Sequence, residues 1–401
     1  MSMSEEKSSS LLSEIHLPLC AALFLHTCLI YVVVAMGRIT TSYAALDQQL
    51  SFAWVGVISA AFSIFPVFMA VPLGRFIDRG FDALSVRLGS IALIISGAIF
   101  AFAPAGPIAL MLGTTFLGVG QIGCMAGHQM IAIRTGKTRR GRDAVFGYHM
   151  VAIASGQAIG PVIMGWIAGD VRVPPVQSLF YVCFGFALLS LLASFFLKAA
   201  PRSDQQDRKQ EPMALKDLMR IRGFLPFIAA SIMTITALDL IVVYLPLLGA
   251  EREIDAATIG WLMFVRAAGS MLARVLYVPL MEVMGRNTLT YLSLLSPAIA
   301  FIAVAYGAPL WLLYPALAIS GMGLGVAATL TLSGTVDLAP THARATAMSL
   351  RLTGNRIGMV VIPLVASAVA TASGAAGVFI ILAFTLSSSA AGIWTSRRGR
   401  D

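Results

Sequence analysis

Gly74-Arg75-Phe76-Ile77-Asp78-Arg79 and Pro279-Leu280-Met281-Glu282-Val283-Met284-Gly285-Arg286 are the two stretches that decide the reading of this 401-residue chain. Asp78 of the first and Glu282 of the second stand 204 positions apart, half the chain length. Each follows an apolar stretch long enough to cross a bilayer, and each opens a short polar hairpin. The same offset pairs Val55-Gly56 with Ile259-Gly260 upstream. A charged hairpin repeated at half-length between apolar spans predicts two related halves packed around a shared site.

Composition sets the solvent. Hydrophobic residues make up 58% of the chain and charged ones 12%, against roughly 25% charged in a soluble domain. Each crossing needs about 20 apolar residues. Twelve segments meet that length: 17–37, 52–73, 84–103, 107–132, 145–168, 177–197, 224–248, 257–281, 288–306, 309–333, 345–370 and 374–395. The expected fold is an all-α membrane protein with twelve transmembrane helices in two pseudo-symmetric six-helix bundles. The N-terminal bundle spans 1–197 and the C-terminal one 224–401. Between them, 198–223 is polar and bounded by Pro201 and Pro212, a linker in which Met213–Arg222 has the spacing of an amphipathic surface helix.

Cys20, Cys28, Cys124 and Cys183 all fall inside apolar spans with no CxxC spacing, and read as small buried hydrophobes. The first span follows Glu5, Glu6 and Lys7 without a basic leader or cleavage site, and reads as a retained helix. The net charge of +9 is distributed as topology. Of 28 Lys and Arg residues, only Arg38, Arg172 and Arg252 fall at or near one face and four lie deep within spans. The rest, including Arg134, Lys137, Arg139, Arg140 and Arg142, lie on the side that holds both termini. That side is therefore expected to be cytoplasmic, in a bacterial inner membrane, with lipid and not nucleic acid as the macroscopic partner.

Twelve spans, a central basic linker and a charged hairpin after spans 2 and 8 resemble the major facilitator superfamily. The resemblance covers essentially the whole chain. The family's hairpin reads Gly-x-x-x-Asp-Arg/Lys-x-Gly-Arg-Arg/Lys. Gly74, Asp78 and Arg79 match it, while Phe81, Asp82 and Ala83 replace its end. Glu282, Gly285 and Arg286 match in the second copy, while Val278 replaces the leading Gly. The resemblance implies that Asp78 caps span 11 when the cytoplasmic gate shuts, a helix N-terminus being electropositive with free N–H groups. Arg79, Gly74, Glu282 and Arg286 complete the gating set.

Span 5 carries Gly156-Gln157-Ala158-Ile159-Gly160-Pro161-Val162-Ile163-Met164-Gly165, similar to the family's antiporter motif except at Met164. Gly156, Gly160 and Gly165 form a smooth packing face, and Pro161 bends the helix beside it. The resemblance implies export. Span 11 has a fainter echo in Gly354-Asn355-Arg356-Ile357-Gly358, with Pro363 beyond. Gly118 and Gly120 of span 4 match the end of the drug-export motif, whose Arg is here Thr114.

Charges at bilayer depth mark a pathway or an ion pair. Four arginines lie deep within spans, Arg266 and Arg274 in span 8, Arg351 and Arg356 in span 11, against a single deep carboxylate, Asp239 of span 7. The unneutralised guanidinium groups suit a carboxylate or phosphate. Arg356, beside Asn355 and nearest mid-membrane, leads the expected anion site, followed by Arg266, Arg274 and Arg351. Asp239 and the histidines His26, His128 and His149 are the expected proton carriers. Arg38, with Tyr43 nearby, belongs to the entrance or the membrane interface.

The expected function is secondary active transport by alternating access: proton-coupled export of a small organic solute with an anionic group, by a monomer without metal or cofactor. The same residues leave room for efflux of lipophilic or cationic drugs with Asp239 as cation partner, for nutrient uptake, and for a transport-dead membrane sensor. No Gly-x-x-x-x-Gly-Lys-Ser/Thr, HExxH or GxSxG segment is present, so the expectation is a transporter and not an enzyme or ATP-driven pump.

Overall fold

A lipid-embedded backbone must satisfy its own polar groups, so long apolar segments fold as helices. The computed structural model describes residues 14–136, 138–197, 215–340 and 343–398. Its elements are α1 (Leu17–Asp47), α2 (Phe52–Asp78), α3 (Asp82–Phe102), α4 (Pro107–Thr135), α5 (Arg139–Ala168), α6 (Val176–Ser194), α7 (Leu215–Arg220), α8 (Phe224–Glu251), α9 (Ala256–Val275), α10 (Tyr277–Ala305), α11 (Leu310–Leu338) and α12 (Arg344–Arg398). Among the described residues, eleven helices are long and apolar enough to cross a membrane. Most of the expected linker, 198–214, lies outside the described residues, as does Lys137; the surface helix expected in its last part is the six-residue α7.

Two helices are interrupted by glycine. α12 has 55 residues, about 80 Å at 1.5 Å per residue, more than twice the hydrocarbon core. It breaks at Gly374 (φ 70°, ψ −179°), a left-handed conformation that only glycine adopts at little cost. The Glu251 carboxylate at the end of α8 then accepts the Ala375 N–H at 3.2 and 3.3 Å, capping the 375–398 segment. α10 is interrupted at Gly285 (φ 72°, ψ 155°). The expected eighth span, 257–281, ends earlier, at Val275. A new helix starts at Tyr277, where Pro279 sits in the first turn and needs no N–H partner.

Within each half, neighbouring helices that run in the same direction close on glycine. A Cβ on Gly118 of α4 would lie 1.8 Å from the Phe62 carbonyl of α2, and one on Gly321 of α11 would lie 1.9 Å from the Arg266 carbonyl of α9. These contacts correspond across the repeat, and no side chain fits at either. Between the halves, α5 crosses α9, α2 crosses α12 and α1 meets α8. A Cβ on Gly56 would stand 3.0 Å from the Pro363 carbonyl and 2.5 Å from Ser367 Cβ. One on Gly260 would stand 2.5 Å from the Pro161 carbonyl and 3.2 Å from Gly165 Cα. In both crossings a glycine of one half sits on the turn after a proline of the other. Both lie toward the face opposite the termini.

The hairpin repeat carries a second duplicated device. Arg134 at the end of α4 binds Asp82, which opens α3, at 2.8 Å. Arg286 of α10 binds Asp337 at the end of α11 at 2.5 Å and donates to Ser333 Oγ at 3.0 Å. Asp82 and Arg286 occupy corresponding places, and so do Arg134 and Asp337. The first half keeps the pair and exchanges its charges.

Candidate functional site

α1 is the axis of the site. The apolar run predicts an end at residue 37, yet the helix continues for ten residues because nothing after Gly37 breaks it. Thr41 and Ser42 return their hydroxyls to the Gly37 and Arg38 carbonyls at 2.6 and 3.2 Å. That extension carries Arg38 inward, where it is 6% exposed and forms a two-pronged ion pair with Asp239 of α8. Nη2 lies 3.0 Å from Asp239 Oδ2 and 3.1 Å from Ser59 Oγ. The guanidinium carbon stands 4.4 Å from the centre of the Phe62 ring. Bidentate geometry, a hydroxyl and an aromatic face together satisfy a charge that is costly to bury alone. Thr41, Ser42, Ser59, Thr114 and Val243 line a pocket beside it.

Of the two places expected for Arg38 the membrane interface is corrected: the residue is buried, pairs across the halves with Asp239 and lines this pocket. Asp239 is ion-paired with Arg38 and, among the described residues, with none of the four arginines of the second half. Two of those four converge. Arg356 of α12 and Arg274 of α9 both lie within electrostatic reach of the Tyr31 hydroxyl of α1, and Arg356 also of Asp239. The Gln121 side chain of α4 adjoins the same hydroxyl. Arg274 makes long contacts to the Met150 carbonyl (3.5 Å) and thioether (4.0 Å) of α5. Arg356 makes no hydrogen bond among the described residues.

The other expected ligands are not brought to this point. Asn355 is buried and accepts the Ser231 hydroxyl at 3.0 Å, a contact within the second half. Arg351 reaches the Ala328 carbonyl at 3.4 Å. Arg266 is 5% exposed, with its Nε unpartnered. Asp78, Arg79 and Glu282 are exposed, with no ion pair among the described residues; no atom would meet a Cβ on Gly74 within 4 Å. Among the described residues, the ion pair and side-chain hydrogen bond of the second hairpin are made by Arg286. At the face opposite the termini, Arg252 donates to the Val304 and Ala305 carbonyls, closing the end of α10. Partial burial lowers its guanidinium from the ordinary value, and the neighbouring Glu251 opposes that shift.

The antiporter-like glycines have two separate jobs. Gly156 and Gly160 face α1: a Cβ on Gly156 would lie 2.4 Å from the Cys28 carbonyl, and one on Gly160 3.0 Å from Ala35 Cβ. Gly165 and the Pro161 carbonyl face Gly260 of the other half. Close approach of α5 to α1 also brings the three expected histidines together. His26 Nδ1 lies 2.7 Å from His128 Nε2, and Thr27 Oγ1 lies 3.3 Å from His128 Nδ1 and 3.1 Å from His149 Nδ1. Spacing along the chain gave no sign of this cluster, which needs α1, α4 and α5 in place. Tyr31 was missed for the same reason. Arg38 had a readable signal, the uninterrupted helical run beyond it.

The sequence profile of the Major Facilitator Superfamily matches residues 23–253 and 227–400, and the chain belongs to that family of membrane transporters. No curated protein matches the chain. Among solved structures it is similar to a nucleoside transporter, NupG (15% identity, TM-score 0.75, 94% of this chain and 98% of that one). It is also similar to a bacterial homologue of the human lysosomal transporter Spinster in an inward-facing, occupied conformation (17%, 0.70, 95% and 97%). A third is a POT family transporter in complex with a thioalcohol-conjugated peptide (15%, 0.73, 94% and 95%). At these identities the likeness is one of fold.

Proposed function

We propose that the protein is a secondary transporter that exports a small organic anion in exchange for protons, by alternating access between two six-helix bundles. Twelve crossings follow if α12 is counted as two at Gly374. The basic loops favour a bacterial inner membrane with both termini in the cytoplasm, and a monomer suffices for the site. The carrying observation is the approach of Arg356 and Arg274 to Tyr31 across the interface between halves, with the deep carboxylate already occupied by Arg38. A ligand carboxylate or phosphate between these groups gains two guanidinium partners and a phenol donor. Because the halves touch at their outer ends and Asp78 and Arg79 are unengaged, we read this conformation as open toward the cytoplasm. The hairpin gate would form when that side closes.

The test is flux in proteoliposomes under an imposed pH gradient, comparing organic acids with lipophilic cations. Anion transport driven by the gradient is expected. Arg356→Ala should weaken apparent anion affinity about tenfold or more, since a charge-assisted hydrogen bond contributes about 1.5–3 kcal/mol. Unchanged affinity in Arg356→Ala and Arg274→Ala would remove the site. Cation transport abolished by Asp239→Asn, without anion transport, would replace this reading with drug efflux.

A further inference from the structure

We infer that Ser90, His26, His128, Thr27 and His149 form a one-ended proton relay inside the first half. It rests on the proton-coupled reading for its purpose, but its wiring stands on hydrogen-bond geometry alone. Five side chains from α1, α3, α4 and α5 are joined in a single file: Ser90 Oγ to His26 Nε2 (3.1 Å), His26 Nδ1 to His128 Nε2 (2.7 Å), His128 Nδ1 to Thr27 Oγ1 (3.3 Å) and Thr27 Oγ1 to His149 Nδ1 (3.1 Å). His26 and His128 are 0% exposed and His149 1%.

The direction of every bond follows from one end. Ser90 has a single hydroxyl proton; with that proton on the Val86 carbonyl at 3.0 Å, Ser90 accepts from His26 Nε2–H. Neutral His26 then offers a lone pair at Nδ1, which accepts His128 Nε2–H. His128 Nδ1 accepts the Thr27 hydroxyl proton, and Thr27 Oγ1 accepts His149 Nδ1–H. His149 Nε2 is left as a bare lone pair, buried and without a partner. A neutral acceptor sealed from water is unfavourable, and the proton that would relieve it is the one a coupled transporter must carry.

Protonation at His149 Nε2 runs the file in reverse with atoms conserved. His149 passes its Nδ1 proton to Thr27 Oγ1 as Thr27 passes its own to His128 Nδ1. His128 then passes its Nε2 proton to His26 Nδ1. One proton enters, His26 ends as the imidazolium, and the tautomers of His149 and His128 are exchanged. Ser90, tied to Val86, is the stop. The other titratable group facing the file is the Cys124 thiol, which contacts Ser90 Oγ at 3.8 Å and donates to the Val86 carbonyl at 3.4 Å; from α6 the Ser190 backbone faces His26. Among the described residues no carboxylate touches the file, so a second proton meets only like charge, and three imidazoles hold one proton as a unit. Along α5, His149 is followed by Met150, whose backbone and thioether contact Arg274 of the anion site.

Nitrogen-15 NMR of histidine-labelled full-length protein in lipid nanodiscs tests this, across about pH 5 to 8 where imidazoles titrate. The expected result is an Nδ1–H tautomer for His149, Nε2–H tautomers for His26 and His128, and one concerted one-proton step in all three. In His149→Gln, the step at His26 should be lost. Three independent steps, other tautomers, or an unchanged His26 response in that variant would overturn the relay. Should His149→Gln not fold, Thr27→Val, which cuts the file in the middle, must separate the His149 response from that of His26 or the relay fails. Flux distinguishes the two readings. A concerted step with no pH-driven transport would sink the coupling and leave the relay. Full pH-driven transport in Thr27→Val and His149→Gln would sink the relay as the coupling route and leave proton-driven export.

Discussion

Asp82 shows how a single residue can look like a defect in sequence and turn out to be half of a device. Where the family hairpin has a basic residue, the first half has this buried carboxylate, paired to Arg134 at 2.8 Å, and the second half has Arg286, paired to Asp337 at 2.5 Å. An ion pair that tolerates inversion between halves should tolerate inversion within one. Asp82→Arg alone places two cations together at a fully buried position and is expected to destabilise by about 3–5 kcal/mol. Combining it with Arg134→Asp should recover much of that loss, the two sites being directly coupled. Thermal unfolding of the purified single and double variants measures both. A double variant no better than Asp82→Arg would show that Asp82 has a role beyond its charge.

At the scale of helices, the crossings between halves depend on glycines that meet the turn after a proline. Valine at Gly56 or Gly260 would put atoms within 3.0 Å of backbone carbonyls, and a carbonyl of a packed helix cannot turn aside as a side-chain tip can. Each substitution should push the crossing apart and disfavour this conformation. Spin labels at the outer ends of α5 and α9 should read longer distances in Gly260→Val, and the unfolding temperature should fall. Gly185→Ala of α6, where a Cβ meets no atom within 4 Å, is the control and should stay within about 1 kcal/mol of the parent. Equal behaviour of Gly260→Val and the control would refute the packing role.

At the scale of the molecule, Arg38–Asp239 ties the halves together through a buried charge pair. Removing one partner leaves the other buried and uncompensated, which costs about 3–5 kcal/mol, whereas replacing both by apolar residues can be neutral. Asp239→Asn is therefore expected to lower the unfolding temperature and to populate states open at the face opposite the termini. The double variant Arg38→Met/Asp239→Leu should regain stability but remain locked in this conformation. Distances between labels on α1 and α8, read beside the melting curves, decide it. A single variant as stable as the parent would mean that the pair contributes nothing to closure.

The helical membrane fold, the approximate places of most spans and the half-length repeat were legible in the sequence because each depends on local physics, whereas the ends of the first and eighth spans were not. About 20 apolar residues cross a bilayer whatever their neighbours are, and a duplicated hairpin keeps its place and its charged character even where the residues differ. The candidate site was legible only as an inventory: a surplus of arginine, one deep carboxylate and three histidines. Which arginine the carboxylate holds could not be read, since Arg38 and Asp239 are half a chain apart and meet only when α1 packs on α8. Nor could the file from Ser90 to His149, which depends on ångström-scale approach of four helices through Gly156, Gly160 and their neighbours. Charge and hydropathy act along the chain, whereas ion pairing and proton wiring depend on distance in space, and only the packed helices set that distance.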